Sequence, residues 1–141
     1  MATVQPMGLT RGEGSPVPRP IEWEGMTFRS KAEYTLAKAF DEHGVWVIPN
    51  ARGRVGVGPR RLTRELDLLV NIDGWWVGIE VDGAPYHPAE RAADDHRRDR
   101  LFRAHGLWVE HYDAGEAREA PHRIVAETIL TSEAMRRSVG W

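Results

Sequence analysis

Three carboxylates stand in two neighbouring apolar runs of the sequence, in positions that could bind a metal ion. Glu80 and Asp82 lie two residues apart in the run 75–82, and Asp67 lies in the preceding run, 65–71. Successive side chains of a strand point to opposite faces, so residues i and i+2 share a face. If 75–82 is a strand, Glu80 and Asp82 therefore emerge on the same side of it.

The turn between the two runs predicts how these carboxylates pair. Asp73-Gly74 favours a tight type I′ turn and therefore an antiparallel hairpin. That turn places Asp67 opposite Glu80, with about 5 Å between their Cβ atoms. Carboxylates gathered in this way repel one another unless a divalent cation neutralises them, and a site with only oxygen ligands suits Mg²⁺ or Mn²⁺. The pattern therefore favours a cation site.

A purely structural explanation of the same carboxylates remains open. Glu80 and Asp82 could be charges that keep a strand edge from aggregating, and Asp82-Gly83 could simply begin a turn. Against this, both runs are rich in Val, Ile and Leu, as expected of strands deep in a sheet. Buried acids without a partner are rare there, and this favours the cation site.

The elements before the two runs predict a helix and a short strand. Ser30 and Glu33 have the spacing of a capping box, and an apolar helical stripe continues from there to Gly44. Residues 45–48 form a short β-prone run that Pro49 and the residue after it should end. The segment 51–61, rich in Gly and Arg, is predicted as a loop or an irregular hairpin.

The elements after the two runs complete a mixed α/β pattern. Residues 91–105 have the charge density of an exposed helix that stops at Gly106, and 107–112 read as a fourth strand. A polar loop and a last amphipathic helix, marked by Ile124 and Val125, follow. The expected order is αβββαβα, with one mixed sheet flanked by helices.

Length and composition bound the class of protein. The chain has 141 residues, 41% of them hydrophobic, which suits one globular domain. It has no Cys, which excludes disulfides, thiolate zinc sites and a Cys nucleophile. Residues 1–22, rich in Pro and Gly, are predicted as a flexible tail before a single domain, 23–141. We find no secretory signal or apolar run long enough to span a membrane, and therefore expect a cytoplasmic protein.

Charge is distributed unevenly along the chain. The net charge is −2, from 21 acidic and 19 basic residues, whereas a protein that only coats DNA would be strongly basic. However, the stretch 52–64 contains no acid and several arginines, which makes a local positive patch or, equally, an ordinary solvated loop. The arginines of this patch are Arg52, Arg54, Arg60, Arg61 and Arg64.

These motifs together resemble the PD-(D/E)XK nuclease superfamily. The resemblance covers residues 26–112 and has four parts along the chain. The first two are a helix with Glu33 and the string Arg64-Glu65-Leu66-Asp67. The other two are Ile79-Glu80-Val81-Asp82-Gly83 with Tyr86-His87, and a helix with Asp95, Arg98, Asp99 and Leu101 before Gly106. The E-x-D-G string followed by His is most similar to the branch near the very-short-patch repair endonucleases. The resemblance implies a restriction-endonuclease-like αβββαβ core and Mg²⁺-dependent hydrolysis of DNA phosphodiesters, with Mn²⁺ as a substitute.

The resemblance also implies roles for individual residues. Asp67 and Glu80 would bind the metal together with the carbonyl of Val81, and Glu33 would contribute from its helix. Asp82 stands where most of the superfamily has Lys, so it would help to hold a metal. His87 would then be the candidate general base or the acid for the leaving group, roles that a near-neutral pKa permits.

The expected partner is DNA. Arg98 and the arginines of the patch would contact backbone phosphates. A homodimer is expected by analogy, because a double-strand cut usually requires two active sites. Two alternatives remain: a non-catalytic nucleic-acid-binding module, and a nuclease subunit of a larger transposition or defence complex.

Overall fold

The computed structural model describes residues 19–83 and 89–141, of which residues 89–92 are described by their backbone alone. Ten elements follow one another along these residues. They are β1 (Ile21–Trp23), β2 (Met26–Phe28), α1 (Lys31–Glu42), β3 (Trp46–Val57), β4 (Arg60–Ile72), β5 (Trp75–Asp82), α2 (Ala89–Ala104), β6 (Trp108–Asp113), α3 (Ala114–Glu119) and α4 (Pro121–Ser138).

A four-stranded sheet organises the molecule. Its order is β3-β4-β5-β6; the first three strands are antiparallel, and β6 runs parallel to β5. A parallel neighbour needs a crossover, which α2 supplies. The expected mixed α/β fold is thus confirmed, and from α1 to β6 the order of elements is αβββαβ. No helix among the described residues is long and apolar enough to cross a membrane.

The hairpin of β4 and β5 forms as the sequence predicts. Asp73 and Gly74 have φ of 52° and 92°, the positive values that a type I′ turn requires. The register pairs Ile72 with Trp75 and Leu68 with Ile79, as that turn dictates. The predicted strand 75–82 has the bounds of β5.

The expected end of the first strand at Pro49 is wrong. β3 continues through Pro49 to Val57 and pairs with β4 in a long hairpin. β3 lies at the edge of the sheet, where a proline without an N–H costs no ladder bond on the open side. Of the two alternatives for 51–61, the hairpin is therefore the correct one.

The main core lies between one face of the sheet and the helices α1 and α4. Phe40 of α1, Leu68 of β4, Ile79 of β5 and Ile124 of α4 are each fully buried there. Ser30 caps α1 by accepting a hydrogen bond from the Glu33 N–H, as predicted. The helices and sheet therefore hold Glu33 at the boundary of this core.

Two terminal features differ from the sequence predictions. The segment expected as a polar loop after β6 contains α3, whose first turn is capped by the side chain of Asp113. In addition, β1 begins at Ile21, inside the segment predicted as a tail, and pairs with β2. Both elements are shorter than the window over which hydrophobic periodicity can be recognised.

Candidate functional site

The backbone pairing of β4 with β5 ends just before the predicted carboxylates Asp67 and Glu80. The β4–β5 ladder stops at Leu68 and Ile79, one pair before Asp67 and Glu80. Here side chains replace backbone partners: the Asp67 N–H donates to Glu80 Oε2 (2.9 Å), and the Val81 N–H donates to Asp67 Oδ2 (2.8 Å). The two carboxylates are therefore held next to each other by reciprocal hydrogen bonds to the two strands.

The regular alternation of β4 is interrupted at Asp67. Leu68 belongs to the main core, whereas Leu66 lies on the opposite face, where a Cβ added to Gly78 would meet its side chain. The β3–β4 pairing also skips Asn50, whose φ is 52°. As a result Asp67 comes close to Glu33 of α1, and the simple cross-strand pair expected from the sequence is replaced by a distorted one.

Glu33 is buried, with 9% of its surface exposed, and interacts with Asp67 electrostatically. Burial, followed by the negative charge of Asp67, raises the pKa of Glu33 from 4.5 to about 7. The Arg29 backbone N–H, the Arg29 charge and the Ser30 hydroxyl oppose this shift. Around neutral pH the Glu33 carboxyl is therefore able to hold or release a proton.

The pKa of Asp67 is raised as well. Burial, followed by the charge of Glu80, raises its pKa from 3.8 to about 6, while the Val81 N–H, Arg29 and Arg98 lower it. Glu33, Asp67 and Glu80 thus form one coupled group from three elements, which we call the acidic site. Arg29, which also pairs with Glu65, was not recognised from the sequence, because only the fold brings it to this group.

Arg98, which the sequence predicts as a phosphate contact, forms hydrogen bonds within the protein. Its Nη1 donates to Glu80 Oε1 (2.9 Å), its Nη2 donates to the Glu65 carbonyl, and only 21% of its side chain is exposed. This charge-assisted pair neutralises Glu80 and ties α2 to β5. Arg98 therefore belongs to the acidic site.

Asp82, two residues after Glu80 in β5, belongs to a second cluster of bonded side chains. His111 of β6 joins it to Asp99 of α2, with Nδ1 3.3 Å from Asp82 Oδ2 and Nε2 2.8 Å from Asp99 Oδ2. Burial lowers the pKa of His111, but the hydrogen bonds and charges of Asp99 and Asp82 outweigh it and raise the pKa overall. The sequence did not single out His111, and His87 lies outside the described residues.

The donor chemistry of the acidic site suits a hard cation. All three side chains offer only oxygen ligands, and burial followed by a neighbouring negative charge disfavours the ionised forms of Glu33 and Asp67, which a divalent cation would relieve. However, among the side chains of 19–83 and 93–141 no three His, Asp or Glu groups are already arranged as a ligand set. Glu80 accepts one hydrogen bond at each oxygen, from the Asp67 N–H and from Arg98, and each oxygen keeps a lone pair that a cation could use.

The arginine patch borders a groove between the long hairpin of β3 and β4 and the end of α2. Its volume is about 690 Å³, and we call it the hairpin groove. The floor is apolar, formed by Ile48, Leu66, Leu69, Phe102 and Leu107. The rim carries Arg52, Arg54, Arg61 and Arg64, while Arg60 lies exposed at the hairpin turn.

The hairpin groove adjoins the acidic site. Leu66, which precedes Asp67 in β4, and Asn50, which the β3–β4 pairing skips at the same level, both line it. Arg52 on the rim donates to Glu65 (2.9 Å), and Arg54 donates to the Thr63 hydroxyl (3.0 Å). These bonds hold part of the positive rim in place beside the carboxylates.

Comparison with known proteins finds structural likeness alone. No family model matches the chain, and no curated protein matches it. The protein of unknown function AF1548 is 18% identical with a TM-score of 0.41, over 60% of this chain and 51% of that one. VC1899 from Vibrio cholerae is 13% identical with a TM-score of 0.44, over 77% of this chain and 39% of that one. The chain thus spans about half of the length of AF1548 and about two fifths of the length of VC1899.

Proposed function

We propose that this protein is a metal-dependent endonuclease that hydrolyses DNA phosphodiester bonds. The observation that carries the proposal is the convergence of Glu33, Asp67 and Glu80 at the end of the β4–β5 ladder, beside a groove rimmed with arginines. A bound Mg²⁺ or Mn²⁺ would supply an activated water and stabilise the leaving oxygen. In this proposal the core is that of the restriction-endonuclease-like superfamily.

The protein's own groups have separate tasks in this proposal. Asp67 and Glu80, whose carboxylates accept hydrogen bonds from the Val81 N–H and the Asp67 N–H respectively, would hold the cation, and Glu33 would bind it or its water. Arg52, Arg54, Arg61 and Arg64 would hold phosphates along the groove. Asp82, bonded to His111, would act beside this set, in place of the usual Lys.

A cleavage assay tests the proposal. Purified protein should nick or cut supercoiled, linear or single-stranded DNA in Mg²⁺ or Mn²⁺ and should do nothing in chelator. Asp67→Asn should abolish cleavage, because the amide oxygen can still accept from the Val81 N–H but the negative charge is lost. Asp41→Asn, on the exposed surface of α1, should cleave as the parent does. Equal cleavage by a folded Asp67→Asn variant would refute the proposal.

One observation favours a non-catalytic alternative. Because Arg98 already compensates the charge of Glu80, this carboxylate does not need a cation, and the groove could bind nucleic acid without cutting it. Binding without cleavage under all metal conditions would establish this alternative for the isolated chain. Cleavage restored only by a second subunit would instead indicate a homodimer or a subunit of a transposition or defence complex.

A further inference from the structure

The floor of the hairpin groove continues into an exposed pair of tryptophans. Ile48 and Leu69 pair across β3 and β4 in the floor, and Trp46 lies two residues before Ile48 on the same face. The Trp46 ring stacks obliquely against Trp76, with centroids 4.9 Å apart, and 60% of Trp46 is exposed. The face therefore presents apolar and aromatic surface from the acidic site to the far end of the sheet.

This surface combines two chemistries that one ligand must satisfy. Guanidinium groups on the rim attract anions, whereas the apolar floor and the tryptophan pair attract flat or apolar groups. A continuous DNA duplex keeps its bases stacked inside and presents phosphates and groove edges, so it would leave the floor uncontacted. An unpaired strand offers phosphates and the faces of its bases together, and such strands bind to positive grooves with aromatic platforms.

We propose that the hairpin groove and the Trp46–Trp76 pair bind unpaired nucleotides, so that the substrate is a single strand or the single-stranded part of a duplex. The inference rests on the proposed function, because it names the substrate class of the acidic site. Leu66, which lines the groove, immediately precedes Asp67 in β4, so a strand on the floor would lie next to the segment that carries this carboxylate. Phosphates would meet Arg61 and Arg64 on the rim.

Binding in chelator tests the inference without any cleavage. Fluorescence anisotropy of the full chain would compare labelled single-stranded DNA, single-stranded RNA, a DNA duplex of the same sequence and an acidic peptide of glutamates. We expect at least one single strand to bind roughly tenfold or more tightly than the duplex at equal salt. Trp46→Ala should weaken single-strand binding by roughly five- to one-hundred-fold, the range that lost base stacking gives.

The chain offers a matched control for this variant. Trp141 is 64% exposed and packs against Trp75, which borders the opposite face of the sheet. Trp141→Ala should leave single-strand affinity unchanged, and Trp46→Phe should retain most of it because the aromatic face remains. Arg61→Gln should reduce the salt dependence by about 0.7 in slope, the contribution of one phosphate on a single strand.

The possible outcomes separate this inference from the proposed function. Equal or tighter binding of the duplex, an unaltered affinity in Trp46→Ala, or preferential capture of the acidic peptide would each overturn the inference. Selective binding of a single strand without cleavage in Mg²⁺ would support the inference and refute the nuclease. Cleavage of duplex DNA with no preference for unpaired strands would support the nuclease and overturn the inference.

Discussion

The carboxyls of Glu33, which is buried, and Asp67, which is half-buried, have pKa values displaced towards neutral pH, and this couples folding to pH. The ordinary pKa of Glu33 is 4.5 and the folded value is about 7, so between these values the folded state binds more protons than the unfolded state. Stability therefore falls as pH rises through that window and is lowest once the carboxyl is ionised in both states. The raised pKa of Asp67 likewise makes stability fall as pH rises from 3.8 to about 6.

We predict that Glu33→Gln flattens this pH dependence. The neutral amide removes the charge that is costly to bury, while the Glu33 backbone N–H keeps its bond to Ser30. Between pH 4.5 and pH 8 in chelator, the free energy of unfolding of the parent should fall by about 2 kcal/mol more than that of the variant. Thermal melts followed by circular dichroism would measure this. Glu119→Gln, at the exposed end of α3, should retain the parent's pH profile, and an equally steep profile in Glu33→Gln would contradict the assignment.

At the scale of the elements, the hairpin of β3 and β4 determines the shape of the hairpin groove. Gly56 faces the turn so closely that an added Cβ would collide with the Arg60 carbonyl. The Gly56 carbonyl also lies 2.9 Å from His105 Nε2, which ties the hairpin to the end of α2. The spacing of the two walls of the groove therefore depends on this glycine.

We predict that Gly56→Ala destabilises the protein by about 1–3 kcal/mol and weakens nucleic-acid binding, because the clash with backbone atoms forces the hairpin apart. Gly53→Ala is the matched control, since Gly53 lies in the same strand and an added Cβ there meets no atom within 4 Å. It should change stability by less than about 0.5 kcal/mol. Denaturant unfolding and anisotropy would measure both effects, and similar losses in the two variants would show that the hairpin geometry is unimportant.

At the scale of the whole molecule, α1, the β4–β5 hairpin and α2 all contribute to the acidic site. A cation bound there would link these elements and would bind only to the folded chain, so it must raise the melting temperature. Asp67 occupies the centre of the coupled group, between Glu33 and Glu80. Its charge should therefore decide most of the cation affinity.

We predict that millimolar Mg²⁺ or Mn²⁺ raises the melting temperature of the parent by a few degrees near pH 8, a gain of about 1–3 kcal/mol. In Asp67→Asn the increase should disappear, although this variant without cation should melt no lower than the parent. Asp41→Asn should keep the full increase. Differential scanning calorimetry would measure the shifts, and equal shifts in all three proteins would place the cation elsewhere.

Local signals in the sequence were sufficient for much of the architecture around the site. Asp73-Gly74 specified a two-residue turn, and the turn specified which residues of β4 and β5 pair. Ser30 specified the start of α1, and the apolar run 75–82 after the turn specified β5. These features were predictable because each depends on backbone conformations and periodicities within a few residues of chain.

The tertiary structure decided what surrounds each carboxylate. Pro49 marks a strand end by its own propensity, but at the edge of the sheet it is tolerated, and β3 continues. Arg98 reaches Glu80, and His111 reaches Asp82, across 18 and 29 positions of sequence. The interruption of β4 at Asp67 likewise depends on bonds with β5. The sequence alone therefore determined which carboxylates could meet, whereas their charge partners, burial and pKa values arose from long-range packing that no local pattern encodes.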